Sequence, residues 1–205
     1  MKHYAKLHVV TAIFLATSLA ACGASRPVTY YNLTALPPAS ETRHEPSEGT
    51  GLSLGLGPII LPESLSRPQM ALRMDDQRLR YDDLHRWSGS LSEDFAETLL
   101  EDILSRLPPG TTALVFPWQG HFSPSHRLTM TVIRFDGALG GQVTLKARWS
   151  LTQGQTLVAT RQSEFTVPTA GPLYRDLVTA QSQAVAKLGK EIVLVIDRGE
   201  VRRQP

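Results

Sequence analysis

The chain has 205 residues, one cysteine and a formal net charge of +2, from 21 Lys and Arg against 19 Asp and Glu. That length supports one domain, or at most two small ones, with a core large enough to need no disulfide or metal staple. One cysteine excludes an internal disulfide and a cysteine-built zinc or iron–sulfur site, and so weak a charge argues against a nucleic-acid binder.

The first residues account for the whole of that charge. Met1–His8 carries Lys2 and Lys6 and no acid, and Val9–Ala20 is an apolar run of 12 residues. A helix needs roughly 20 apolar residues to cross a bilayer, so this run reads as the apolar region of a signal peptide. Leu19-Ala20-Ala21-Cys22 resembles a bacterial lipobox, which places a signal peptide at 1–21 and a diacylglyceryl and N-acyl lipid on Cys22. Acyl chains contribute about 0.8 kcal/mol per buried CH₂, so several on one cysteine hold a protein firmly to a membrane. Gly23, where inner-membrane lipoproteins of Gram-negative bacteria commonly carry Asp, points to the periplasmic face of the outer membrane. Removing residues 1–21 leaves 184 residues with 19 basic and 19 acidic groups, a neutral body.

Residues 22–27 form a lipidated tether, 28–199 the folded domain and 200–205 a disordered tail. Val28–Leu33, β-branched and aromatic, predicts a first strand. Residues 34–51 are rich in Pro, Ser, Glu and Gly without periodicity and predict a flexible loop. Leu52, Leu54 and Leu56 alternate with Ser53, Gly55 and Gly57, the period of a half-buried strand. Gln69–Arg73 and Arg78–Tyr81 flank Asp75-Asp76-Gln77 as a hairpin. Ser90 and Glu93 form a capping box for a helix marked by Leu91, Phe95, Leu99, Ile103 and Leu107, which Pro108-Pro109-Gly110 stops. Three strands follow, over 127–135, 142–151 and 156–167, with a Gly-rich turn at 136–141. Pro172 opens a last helix that Gly199 ends. The order predicts an α+β fold: a single domain with a mostly antiparallel sheet of about six to seven strands and two helices packed on one face.

The search for chemistry gives little. Gly51-Leu52-Ser53-Leu54-Gly55 matches the G-x-S-x-G pattern of a serine hydrolase, but that motif needs a helix after the serine, and Gly57-Pro58 follows instead. Asp82, Asp83 and His85 lie close together and read as a solvated turn before a metal site. His121 and His126 lack helical spacing, and no P-loop is present. No catalytic residue, cofactor site or metal site is therefore assigned. Phe116, Trp118 and Phe122 crowd a segment that reads as a loop. They form either an apolar patch for a partner or, more commonly for loop aromatics, a lid folded onto the core.

With these features in place, the sequence resembles the PqiC/YmbA-type auxiliary lipoproteins of ABC-type transport systems. The likeness rests on the lipobox, Tyr30-Tyr31-Asn32-Leu33, Leu65-Ser66-Arg67-Pro68-Gln69, Trp87, Phe135-Asp136-Gly137, Val143–Trp149 and Tyr174, Leu177, Val178, Ser182 and Leu188. It runs over about residues 20–197. Ser66 stands where the family usually has Asp. The resemblance implies a non-catalytic, outer-membrane-anchored accessory of an intermembrane lipid transport system that supports envelope integrity. Its implied companions are an MCE-domain protein that spans the periplasm and an ABC or PqiA-type permease. A homo-oligomeric ring around a partner's channel would suit such an accessory. Arg67, Pro68, Gln69 and Trp87 join Phe116, Trp118 and Phe122 as candidate partner-binding residues. Two other readings compete: a lipoprotein scaffold or regulator of another envelope machine, for cell-wall synthesis or a surface appendage, and an anchored hydrolase using Ser53.

Overall fold

The computed structural model describes residues 26–36, 52–118, 120 and 122–201. The elements run β1 (Thr29–Tyr31), β2 (Ser53–Ile60), a short 3₁₀ turn (Glu63–Leu65), β3 (Gln69–Arg73), β4 (Leu79–Trp87), α1 (Leu91–Leu104), β5 (Thr112–Val115), β6 (His126–Gly137), β7 (Gln142–Gln153), β8 (Thr156–Pro168) and α2 (Tyr174–Val201). One domain with two helices and a sheet is what the periodicity predicts.

The sheet differs from expectation in two ways. It has eight strands, because Thr112–Val115 forms a strand that four residues of weak pattern do not announce. It is also mixed. Antiparallel pairing joins β3 to β4, β6 to β7 and β7 to β8. Parallel pairing joins β1 to β4, β2 to both β5 and β6, and β3 to β6. The long antiparallel ladders still dominate, with β7 flanking β6 from Gln153 opposite His126 to Val143 opposite Gly137. On the other side of β6, β2 covers the first half and β3 meets its end through Leu72 and Gly137.

The alternation that predicts these strands sets the core. Val143, Leu145, Ala147, Trp149 and Leu151 of β7 are buried, as are Leu128, Met130 and Val132 of β6. Both helices lie over that face. Phe95 of α1 meets Phe135 of β6 edge-on at 5.2 Å. The helices cross closely at Gly189, where an added Cβ would stand 3.3 Å from the Asp102 Cβ. The Trp149 indole N–H donates to Ser163 Oγ at 3.0 Å, and Ser163 Oγ donates to Glu191 Oε1 at 3.0 Å, which fastens α2 to the sheet. The opposite face of the sheet has no helix among the described residues.

Smaller boundaries also move. Ser90 caps α1 as expected, accepting from the Glu93 N–H at 3.4 Å. The first strand is shorter than Val28–Leu33, and β6 continues through Asp136 and Gly137, leaving a turn at 138–141. Helix α2 passes Gly199 and continues to Val201, and it begins at Tyr174.

The start of the expected flexible loop is not free. Leu33 N–H donates to Asp94 Oδ2 at 2.7 Å, Thr34 N–H to Ser182 Oγ at 3.1 Å and Leu36 N–H to Asp102 Oδ1 at 2.9 Å. Arg106 returns a bond to the Leu36 carbonyl at 2.8 Å. Both helices therefore grip the strap 33–36. The rest of that loop, 37–51, lies outside the described residues, as do Cys22 and the start of the tether.

Candidate partner-docking corner

Strand β2 presents two faces of different character. Leu54 and Leu56 enter the core with no exposed surface, while Gly55 and Gly57 face away from the helices. Those glycines make room for aromatics. A Cβ at Gly55 would stand 2.4 Å from the Trp118 ring and 2.7 Å from Pro124. Gly57 has φ +119°, a region favouring glycine, and a Cβ there would stand 2.8 Å from the Phe116 Cβ. The second glycine of the G-x-S-x-G match therefore supports a tryptophan.

Phe116, Trp118 and Phe122 form a chain of edge-to-face contacts, at 5.5 Å and 6.1 Å between ring centres. The Trp118 indole N–H donates to the Leu114 carbonyl at 3.1 Å. The Arg127 guanidinium lies 4.9 Å above the Trp118 ring, a cation–π contact. Trp118 and Phe122 are half-buried, whereas Phe116 is 48% exposed and Leu114 42%. The aromatics thus do cover something, but it is the helix-free side of β2 and not the core. Around the end of β2 and β5, on the helix side, a shallow cleft of about 90 Å³ is lined by Leu56, Ile59, Ala96, Val115 and Phe116, with Ser92 and Glu93 at α1.

Arg67, Pro68 and Gln69 form a second group at the start of β3, which flanks the same side of β6 as β2 but towards its other end. The exposed Arg67 guanidinium lies 5.0 Å above the Tyr81 ring. The Pro68 carbonyl accepts from the Trp87 N–H at 2.8 Å, and Gln69 donates to Asp83 at 3.2 Å as it enters β3. Trp87 is only 4% exposed and packs in the core, so its side chain offers no surface to a partner. The expected role for Trp87 is corrected on that ground: at the end of β4 its side chain belongs to the buried core.

Ser53 is committed to structure. Its Oγ accepts from the Ser125 N–H at 2.8 Å, and Ser125 Oγ accepts from the Ser53 N–H at 3.0 Å and donates to the Ser53 carbonyl at 2.9 Å. This reciprocal pair locks β2 to the segment before β6.

A cluster around Asp82 escapes sequence reading except as a suspected turn. Asp82 Oδ1 accepts from the Leu84 and His85 N–H groups and meets His85 Nδ1 at 3.0 Å, while Oδ2 accepts from the Tyr174 hydroxyl at 2.7 Å. His85 stacks on Tyr174 at 3.7 Å. Desolvation pushes the Asp82 carboxyl up, but the bonds from Tyr174, His85 and Leu84 outweigh it and hold it down to about 2. Burial and the bond to Asp82 push the Tyr174 hydroxyl well above its ordinary range. Both Asp82 carboxylate oxygens are engaged, so the cluster acts as a clasp between β4 and α2. Among the described residues, no group of three His, Cys, Asp or Glu side chains is placed to hold a metal ion. No described helix is long and apolar enough to cross a membrane.

Comparisons place this architecture among known ones. A family model described as "ABC-type transport auxiliary lipoprotein component" matches residues 31–193. A crystal structure of an uncharacterized protein is 20% identical and superposes with a TM-score of 0.69, covering 83% of this chain and 99% of that one. A Xanthomonas campestris protein of the DUF330 family is 14% identical with a TM-score of 0.64, covering 87% of this chain and 99% of the other. At such identities these likenesses show a shared fold. No curated protein matches the sequence.

Proposed function

We propose, from the premise that this chain belongs to the ABC-type transport auxiliary lipoprotein family, that it is a non-catalytic docking component on the periplasmic face of the outer membrane. It would serve an intermembrane lipid transporter built from an ABC or PqiA-type permease and an MCE-domain protein that spans the periplasm, and so support envelope integrity. The observation that carries this reading is the family match over residues 31–193, joined to a lipobox ending in Cys22 and followed by Gly23. Three further features support it. The mature body is charge-neutral. Ser53, the one side chain in a hydrolase-like motif, is bonded to Ser125. An exposed aromatic corner, lined by Leu114 and Phe116, offers a place to dock.

The test is isolation of the full-length tagged chain from detergent-solubilised envelopes, with mass spectrometry of what accompanies it. Enrichment of an MCE-domain protein or permease is expected, and outer-membrane fractionation should depend on Cys22. Specific enrichment of cell-wall synthesis or appendage components, with no transporter component, would replace this reading with that of a scaffold for another envelope machine.

A further inference from the structure

Strand β5 closes one end of the sheet, and its outer side pairs with no described strand. Its inner side is occupied. The Thr112 N–H donates to the Leu52 carbonyl at 3.2 Å, and the Phe116 N–H to the Leu56 carbonyl at 2.8 Å. Backbone groups alternate sides along a strand, so the N–H and C=O of Ala113 and Val115 point outward. Such an edge is a template for another strand, and proteins usually blunt it with charge, proline or a bulge. Thr112-Ala113-Leu114-Val115 carries none of these. Strand β8, at another end of the sheet, carries Arg161 and Glu164.

Each side of the β5 edge also offers a recess. Toward the helices lies the cleft floored by Leu56, Ala96 and Val115. Away from them lies exposed Leu114 beside Trp118, with Phe116 on the rim between this recess and the cleft. Arg127 sits over Trp118 and pairs with no carboxylate among the described residues, so the outer recess favours a negative charge. The bilayer is a poor occupant. Lipid tails offer no partner for the outward N–H and C=O groups of Ala113 and Val115.

We propose that β5 binds one extended segment of a periplasmic protein by strand addition. Main-chain bonds join the segment to Ala113 and Val115. Alternate side chains enter the two recesses, apolar ones in the helix-side cleft and a carboxylate against Arg127. This rests on the docking reading above and adds the edge, the mode of binding and the chemistry of the partner segment.

The experiment uses the full-length chain in cells with a photocrosslinking amino acid at Leu114, or at Leu157 on β8 as a control, and measures co-isolated transporter component. Crosslinks from position 114 should map to an extended, carboxylate-bearing segment of that component. Ala113→Pro, which removes one outward N–H, and Arg127→Glu should each lower co-isolation at least tenfold. Leu157→Ala should leave it unchanged. If Ala113→Pro lowers the melting temperature, Arg127→Glu and Trp118→Ala decide. Unchanged co-isolation in these variants, or crosslinks from 114 to lipid or to a second copy of the chain, overturns strand addition while the docking reading stands. Absence of any transporter component with the wild-type chain removes the docking reading and this inference together.

Discussion

The Tyr174 hydroxyl donates to Asp82 Oδ2 at 2.7 Å and so ties the first turn of α2 to strand β4, 92 residues earlier in the chain. A hydrogen bond to a charged group is worth about 1.5–3 kcal/mol, toward the lower end where solvent has access. Tyr174→Phe should therefore cost about 1–2 kcal/mol in urea unfolding. The pH dependence has a definite sign. Asp82 in the fold titrates at about 2, below an ordinary carboxylate. Its stabilisation is complete above roughly pH 4 and is lost as the pH falls toward 2. Asp82→Asn should be less stable than wild type at pH 7, with the difference shrinking by pH 2. A constant difference across that window would count against the clasp.

Asp102 should behave in the opposite sense. It is wholly buried in α1, accepts from the Leu36 N–H and faces Arg106 at 3.3 Å, and its Oδ2 has no hydrogen-bond partner. Desolvation pushes its carboxyl above the ordinary range despite the bond from Leu36. A carboxyl raised in the fold makes a contribution that improves as the pH falls toward 4. Asp102→Ala should cost about 2–4 kcal/mol at pH 7, because it leaves the Leu36 N–H without its acceptor and removes the carboxylate facing Arg106. Asp102→Asn keeps an acceptor for Leu36 and should cost less. Its stability relative to wild type should be greatest near neutrality and decline toward pH 4.

The Gly55–Trp118 contact predicts a local effect. Gly55→Val should push the indole off β2, destabilise the fold by about 1–3 kcal/mol and expose the ring to acrylamide quenching. Trp87 and Trp149 are buried, so new quenching reports on Trp118.

Ser53 and Ser125 separate structure from catalysis. Ser125→Ala removes both the acceptor for the Ser53 N–H and the donor to the Ser53 carbonyl, and Ser53→Ala removes one acceptor. Ser125→Ala should be the more destabilising, each by about 1–2 kcal/mol. Neither the wild type nor Ser53→Ala should react with a fluorophosphonate probe. Labelling that disappears in Ser53→Ala would revive the hydrolase.

Cys22→Ala should leave unprocessed precursor and abolish palmitate incorporation. Palmitate labelling of the mutant would disprove the lipobox.

What the sequence discloses depends on the range of the interaction. The capping serine Ser90 and the unbroken alternation from Val143 to Leu151 act over neighbouring residues, and the structure has them where expected. Strand β5 is too short to show a period. Parallel pairing of β2 with β5 and β6 is set by how the intervening elements pack, which no local pattern encodes. The strap depends on bonds spanning 61, 148 and 66 positions. The aromatic corner did leave a trace: Gly55 and Gly57 sit two apart on one face of a strand, a signal that something flat covers them. Trp87 shows the reverse error, since an aromatic beside a polar motif is as readily core as surface.

The strap also bears on force. With the proposed anchor at Cys22, the chain is loaded from its N-terminal side, where six residues separate the cysteine from Thr29 and the span reaches at most about 24 Å. Strand β1 meets that pull with only 3 registered residues on β4. Behind it, Asp94, Ser182 and Asp102 hold the next segment from two helices at once. In the proposed arrangement, a tug between membrane and partner would therefore pass into the helix layer and spare the β5 edge from peeling.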